Sequence, residues 1–372
     1  MTNVLRATLC FSIILMTLSS SPTRAQAPTA DSLTIKGFEL LKSGKPVDAI
    51  TEFKEAVKLD PKFIAAHYGM GQAYQAKGDL PEAIKEFTAA TDLNPTSSEF
   101  FIRLGSALVQ ANKPNEALIA FKRASDLSPH NPQPLAETAV ILSQLKKDDE
   151  AFAAFTRAIG YDPDNPTLHH GFGQFYAERS RWVEALREYE AAARMAPAFR
   201  PARRGILTAY NGLKRYSDAE KAARSILSSI PGDLDVQASL AIALDGLEKR
   251  EEAVKVYQSI LAANPRVPSM WGNLGWTQYG MGKYSDALES SRKAIAIDPK
   301  LAYVRFNIGL IYAVQNDWEH AQKEYTDAIA VAQLSEITAG IEDIRDTLKK
   351  KPDAAALKQA QKMLEEAAKK QR

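Results

Sequence analysis

The stretch "AITEFKEAVKLDP", residues 49–61, is followed by "AIKEFTAATDLNP" (83–95), "ALIAFKRASDLSP" (117–129) and "AFAAFTRAIGYDP" (151–163). Most letters change, but the leading Ala, an aromatic four places on and the closing Pro do not. Pro61, Pro95, Pro129, Pro163, Pro197, Pro231, Pro265 and Pro299 stand 34 residues apart without a break. A fixed period of this length marks a stacked repeat array rather than one globular core. With each repeat numbered so that this Pro is position 32, position 20 is Ala in nine successive repeats, from Ala49 to Ala321. Position 24 is aromatic in seven of the nine: Phe53, Phe87, Phe121, Phe155, Tyr189, Tyr257 and Tyr325. Position 8 is Gly at Gly37, Gly71, Gly105, Gly173, Gly275 and Gly309, and position 11 is Tyr or Leu except at Gln278.

These spacings predict two antiparallel helices per repeat. Positions 4, 7, 8 and 11 share one helical face, and positions 20, 24 and 27 share another. Breakers such as "SGKP", "KGDLP", "ANKP" and "MGKY" separate them. Small residues at positions 8 and 20 let the helix axes approach to the near end of the usual ~8–10 Å. An acid at position 19, from Asp48 to Asp286, meets the positive end of the second helix. The Pro starts the next helix, where a missing N–H costs little. One such pair cannot bury its own apolar face, so neighbours must stack.

The set Gly71, Tyr74, Ala83, Phe87, Ala90 and Pro95, with Trp271, Leu274, Gly275, Ala287, Ala294 and Pro299 in the eighth repeat, resembles the tetratricopeptide-repeat (TPR) family. The resemblance implies an all-α, right-handed α-solenoid of about nine 34-residue helix-turn-helix repeats over residues 30–335, with C-terminal capping helices over 336–372. Repeat 8 departs from the family at Gln278 and Ser291. Repeat 6 departs at Arg203, Leu207, Ala223 and Ile226, which predicts a local irregularity or hinge there.

Before the repeats, "MTNVLR" is followed by the apolar run "ATLCFSIILMTL" and then small residues up to Ala25. This is the pattern of a cleavable signal peptide, residues 1–25, followed by a short linker, 26–29. The apolar run is shorter than the ~20 residues a spanning helix needs. The expectation is therefore export to the periplasm or cell envelope, with no transmembrane segment after cleavage. Cleavage removes Arg6, Arg24 and the one cysteine, Cys10, leaving 45 basic and 45 acidic residues. A neutral chain argues against nucleic acid as a partner, and a cysteine-free one excludes disulfides and thiolate chemistry.

No phosphate-binding loop, HExxH or Gly-x-Ser-x-Gly pattern occurs in context. "GMGQAY" and "GFGQFY" place their second Gly at position 8, inside a helix. His169 and His170 are adjacent, about 100° apart on a helix, and do not share a face for a metal. The expectation is a chain that is not an enzyme, with no cofactor and no metal.

Positions 2, 5, 6, 9, 12 and 13 remain on the face away from the packing. The TPR resemblance implies that this face lines a concave groove where partners bind. In repeats 8 and 9 it holds Asn273, Trp276, Tyr279, Tyr303, Phe306, Asn307 and Leu310; earlier repeats hold polar groups such as Tyr68, Gln72, Gln75, His170, Arg204 and Asn211. Trp and Tyr are frequent binding anchors. Two readings stand: the aromatics anchor a ligand, or curvature and the capping helices bury them. The family's Lys/Asn/Arg clamp for a C-terminal carboxylate is not matched. Of the family's Asn ladder at position 6, Asn273 and Asn307 alone match. The functional expectation is an exported scaffold or adaptor binding a protein or extended peptide, in envelope assembly or secretion. The alternative is a carbohydrate-binding accessory protein in polysaccharide or cell-wall synthesis, with Trp276, Tyr279 and Tyr303 stacking on sugar rings.

Overall fold

The computed structural model describes residues 27–371. The expected signal segment, with Cys10, lies outside the described residues. The described residues form 20 helices and no strand. The chain divides between Pro129 and His130 into two compact units. The first holds α1 (Ala30–Lys42), α2 (Pro46–Leu59), α3 (Ile64–Lys77), α4 (Leu80–Leu93), α5 (Ser98–Gln110) and α6 (Pro114–Leu127). The second opens with α7 (Pro132–Gln144), α8 (Asp148–Tyr161), α9 (Pro166–Ala177), α10 (Trp182–Met195), α11 (Arg200–Gly212), α12 (Tyr216–Ser229), α13 (Leu234–Gly246) and α14 (Arg250–Ala263). It continues with α15 (Pro268–Gly280), α16 (Tyr284–Ile297), α17 (Ala302–Val314), α18 (Trp318–Ile329), α19 (Leu334–Lys350) and α20 (Ala355–Gln371). Helices α1 to α18 pair in sequence as hairpins, α1 with α2 through α17 with α18, and each hairpin spans one sequence period.

The position-24 ring holds each pair together. A Cβ placed on Gly37 would lie 2.5 Å from the Phe53 ring, and one on Gly71, Gly105 or Gly173 would lie 2.7 Å from Phe87, Phe121 or Tyr189. These rings therefore rest on bare helix backbone in their own hairpin. The following hairpin approaches as closely: Gly69 would put a Cβ 2.5 Å from Phe53, and Gly205 would put one 2.5 Å from Tyr189. Phe53 and Tyr189 are thus wedges between consecutive repeats, and all four rings are 0–3% exposed.

The two irregular repeats keep this volume by other means. In repeat 6 the large residue is Leu207 at position 8 and the small one is Ala223 at position 24. Both are 0% exposed in one cluster with Val236 and Leu240. Large and small have exchanged places, a volume-conserving swap that cores tolerate well. The hinge expected in repeat 6 is accordingly not where the chain divides; α11 packs on α10, α12 and α13 inside the second unit. In repeat 8, buried Gln278 accepts a hydrogen bond of 2.7 Å from Ser290 Oγ. A polar pair thus satisfies the position that Tyr or Leu fills elsewhere.

The hairpin turns share one backbone device. Position 15 has positive φ in every repeat: Gly44, Gly78 and Gly282, but also Asn112, Lys146, Ser180, Lys214, Glu248 and Asn316. The next N–H then reaches back to the carbonyl of position 11, as from Lys147 to Leu142 at 2.9 Å and from Arg215 to Tyr210 at 2.8 Å. This is the left-handed helix stop that glycine adopts without cost and other residues do not.

Two stability outcomes follow from these contacts. Leu207→Gly opens a cavity and Ala223→Phe overfills the same space, so each single change is expected to destabilise by about 2–4 kcal/mol. The double variant restores the Gly-and-ring arrangement of the other repeats. A denaturation cycle should give a loss well below the sum of the two, and an additive result would show that the positions do not share volume. Lys146→Gly removes left-handed strain at an exposed turn and should stabilise by up to about 1 kcal/mol, read as a rise in Tm.

Candidate ligand-binding sites

The histidines are spent on structure. His169 Nε2 lies 3.0 Å from the carbonyl of Pro163, and its Nδ1 lies 2.7 Å from Glu188. His67 repeats both contacts with Pro61 and Glu86, at 3.0 and 2.7 Å. Both are position-4 residues. At the same position Gln237, Trp271 and Arg305 donate to the carbonyls of Pro231, Pro265 and Pro299, at 2.7, 2.9 and 3.4 Å. Arg305 also pairs with Glu324 at 3.2 Å. Where position 4 is His or Arg with this contact, position 23 is Glu. Position 4, read as part of an apolar face, is thus in five repeats a donor that ties each hairpin to the proline before it. His170 packs between Tyr189 and Phe199, and burial lowers its pKa. Among the described residues no group of three or more potential ligands could hold a metal ion, and no helix is long and apolar enough to cross a membrane.

In the first unit, α1, α3 and α5 line an open depression of about 530 Å³. Phe38, Leu41 and Lys42 come from α1, Gln72 and Gln75 from α3, and Arg103 and Gln110 from α5. These are positions 6, 9, 12 and 13, the face predicted to be free of packing. One turn before Gln72, Tyr68 packs in a tilted arrangement on Phe100, ring centroids 5.0 Å apart, and donates to Glu99 at 3.1 Å. Glu99 also receives Arg103 Nε at 2.7 Å. The amide-bearing side chains stay unpaired with one another, so they can donate and accept toward a bound main chain.

The polar stretch in the middle of the second unit is internally paired. Asp233, the N-cap of α13, is 2.7 Å from Arg200 and 2.9 Å from Arg204. Asn211 donates to the carbonyl of Ser239 at 3.0 Å. These groups lock α11 onto α13.

At the C-terminal end, α19 and α20 pack on α17 and α18. They bury Phe306 and Leu310 to 4% and 2% exposure, in a cluster with Ile341, Ile344, Leu357 and Leu364. The expectation that Phe306 and Leu310 line an open groove is therefore corrected: the last repeat has no following repeat, and α19 and α20 cover its free face instead. Asn273, Tyr303 and Asn307 are half-buried, and Tyr303 packs on α15 at Gly272. Trp276 and Tyr279 alone of the predicted set enter a pocket, about 540 Å³ in volume, with Asp245, Arg250, Tyr284 and Asp343. The rings run in series, Trp276 to Tyr279 at 5.3 Å and Tyr279 to Tyr284 at 5.9 Å. The Tyr279 hydroxyl lies 3.4 Å from Thr347 Oγ1 on α19.

Two acids of this pocket escaped sequence reasoning. Burial, with Asp346 and Glu342 adding to it, pushes the Asp343 carboxyl up to about 6. Burial also raises Asp245, against the opposing charge of Arg250 at 3.6 Å. The available signal for Asp343 was its place on α19, three residues after buried Gly340 and one before buried Ile344. Asp245 occupies position 12 of repeat 7, next along the face from Trp276 and Tyr279.

The sign of the Asp343 effect is fixed by its raised pKa. The folded state holds this proton more tightly than the unfolded chain does. The stabilisation is full below about pH 4 and is lost as pH rises through about 6. Asp343→Asn should therefore raise stability at pH 7.5 by about 1 kcal/mol, after discounting for partial exposure, and change little at pH 3.5. Thermal denaturation of both proteins at the two pH values measures this, and an equal shift at both would refute it.

Against known proteins, two family models, each described as tetratricopeptide repeat, match residues 40–102 and residues 102–166 and 239–302. Comparison with curated protein sequences returned no match. Among solved structures, a tetratricopeptide repeat protein from Parabacteroides merdae ATCC 43184 is similar with a TM-score of 0.57 at 17% identity, over 67% of this chain and 98% of its own. PilW, described as a widely conserved type IV pilus biogenesis factor, is similar with a TM-score of 0.52 at 17% identity, over 57% of this chain and 98% of its own. Both likenesses are of fold. With the 34-residue period, the paired helices and the matched segments together, the chain belongs to the tetratricopeptide-repeat family.

Proposed function

We propose that this chain is an exported, non-catalytic TPR adaptor that holds an extended peptide segment of a partner protein, acting in the periplasm or cell envelope in assembly or secretion. The observation that carries the reading is the open depression on α1, α3 and α5, with Gln72, Gln75 and Gln110 around an apolar floor of Phe38 and Leu41. Side-chain amides match the alternating N–H and C=O groups of a main chain, while Phe38 and Leu41 offer one apolar seat. The charged lining, Lys42 and Arg103, is cationic and favours acidic side chains on the peptide. Export rests on the N-terminal pattern of residues 1–25. The glycan reading relied on Trp276, Tyr279 and Tyr303, and these three do not share one open face.

The test is a peptide-array screen with the chain from Gln26 onward, then fluorescence anisotropy on the best peptide. Each lost hydrogen bond is worth about 1 kcal/mol. Gln72→Ala with Gln75→Ala should thus weaken binding about 10–30-fold, and Trp276→Phe should leave it unchanged. Unchanged affinity in the double variant removes the depression from the reading. Binding to a glycan array with no peptide bound favours the carbohydrate alternative. Cell fractionation tests export on its own: an uncleaved cytoplasmic product would refute it.

A further inference from the structure

The pocket between α13, α15, α16 and α19 carries chemistry that repeat packing does not use. Its wall is the run of rings Trp276, Tyr279 and Tyr284. Its acids are Asp245, Glu248, Asp343 and Asp346, with Asp245 on α13 and Asp343 on α19. Asp245 Oδ1 is fully shielded, accepts no hydrogen bond and faces Arg250 Nε at 3.6 Å. Asp343 has no ion-pair partner within 4.0 Å among the described residues. Behind them the Tyr325 hydroxyl, 1% exposed, also lacks a partner. Burial first, then the neighbouring Tyr279 and Asp343, hold that hydroxyl well away from ionisation. At the rim, Lys351 Nζ lies 5.9 Å from the Tyr284 ring centre, showing how an ammonium meets this wall.

We propose that this pocket binds an organic cation, a primary ammonium or guanidinium group. Aromatic faces attract such cations, more strongly where water is excluded. Arg250 answers Asp245, and Lys350 and Lys351 also line the pocket, so the unpaired charge offered to a ligand is that of Asp343. A hard metal ion is a poorer occupant, because it demands about six oxygen ligands and one wall of the pocket is aromatic. A neutral sugar could stack on the rings, but it would leave the Asp343 carboxylate without a counter-charge. The volume exceeds one ammonium head, so the cation arrives on a longer chain: a basic side chain of a polypeptide or a free polyamine. The inference is independent of the depression on α1, α3 and α5.

Calorimetric titration of the chain from Gln26 onward at 150 mM salt separates the cases. The probes are hexalysine, its side-chain-acetylated form, spermidine and a neutral cello-oligosaccharide. The expected result is binding of hexalysine but not of the acetylated peptide, weakened at least tenfold by Asp343→Asn and by Asp245→Asn. Glu366→Gln, on an exposed face of α20, should change nothing. The same losses with spermidine as the tighter ligand would support the site and assign it to free polyamines. Asp343→Asn is expected to be more stable than the parent at neutral pH, so lost binding there cannot be lost folding. Equal binding in all variants would reduce the effect to surface charge and overturn the proposal. So would no binding of either amine, or sugar binding in their place.

Discussion

The fold depends on one contact made over and over: an aromatic ring seated on a helix backbone stripped of its side chain. At Phe53, Phe87, Phe121 and Tyr189 a single methyl on the facing glycine would overlap the ring. The dispersion and burial of a ring come at full strength only at this close approach. Because Phe53 and Tyr189 are also gripped by the glycine of the following hairpin, the same contact closes a hairpin and joins it to the next. That double duty makes stacking obligatory and keeps the period unbroken at 34 residues. Positions outside the wedge can vary freely, and they are the ones that differ between repeats.

That division of labour explains what was legible in the sequence. Position 20 Ala, position 24 rings and position 8 Gly are set by a contact that tolerates little change, so they show as a pattern. Leu207 and Ala223 look like two separate faults when read singly, yet they are one exchange of volume across the same contact. Gln278 and Ser291 look alike as departures, but Gln278 is answered by Ser290, which no repeat rule anticipates. The left-handed turn residue was visible at Gly44, Gly78 and Gly282 and hidden at Lys146 and Glu248, because the backbone imposes the conformation against residue preference.

The candidate sites were less legible, for a physical reason. Helix periodicity says which side of a helix faces away from its own core, not what arrives to cover that side. Gln72 and Gln75 remain open because α1, α3 and α5 present the same face around a hollow. Phe306 and Leu310, on the same side of the first helix in the last repeat, are covered because α19 and α20 follow. The apolar stripe Leu357, Ala360, Leu364 and Ala368 on α20 is the sequence trace of that cover. It reads as a polar Ala- and Lys-rich helix until the small alanines are counted as contact surface.

A cap whose only task was to shield the last repeat would place neutral groups against it, as α20 does. Helix α19 instead sets Asp343 beside three rings, where burial and two neighbouring acids hold its carboxyl up at about 6. At neutral pH that carboxylate is ionised in a place that disfavours the charge, so the fold bears a cost that asparagine would not impose. Strongly perturbed acids in clefts are found where charge meets a ligand more often than where helices merely pack. A ligand cation entering the pocket would relieve that cost as it binds, so part of its affinity would come from strain already present in the empty protein. The helix that closes the array would then also be one wall of a recognition site.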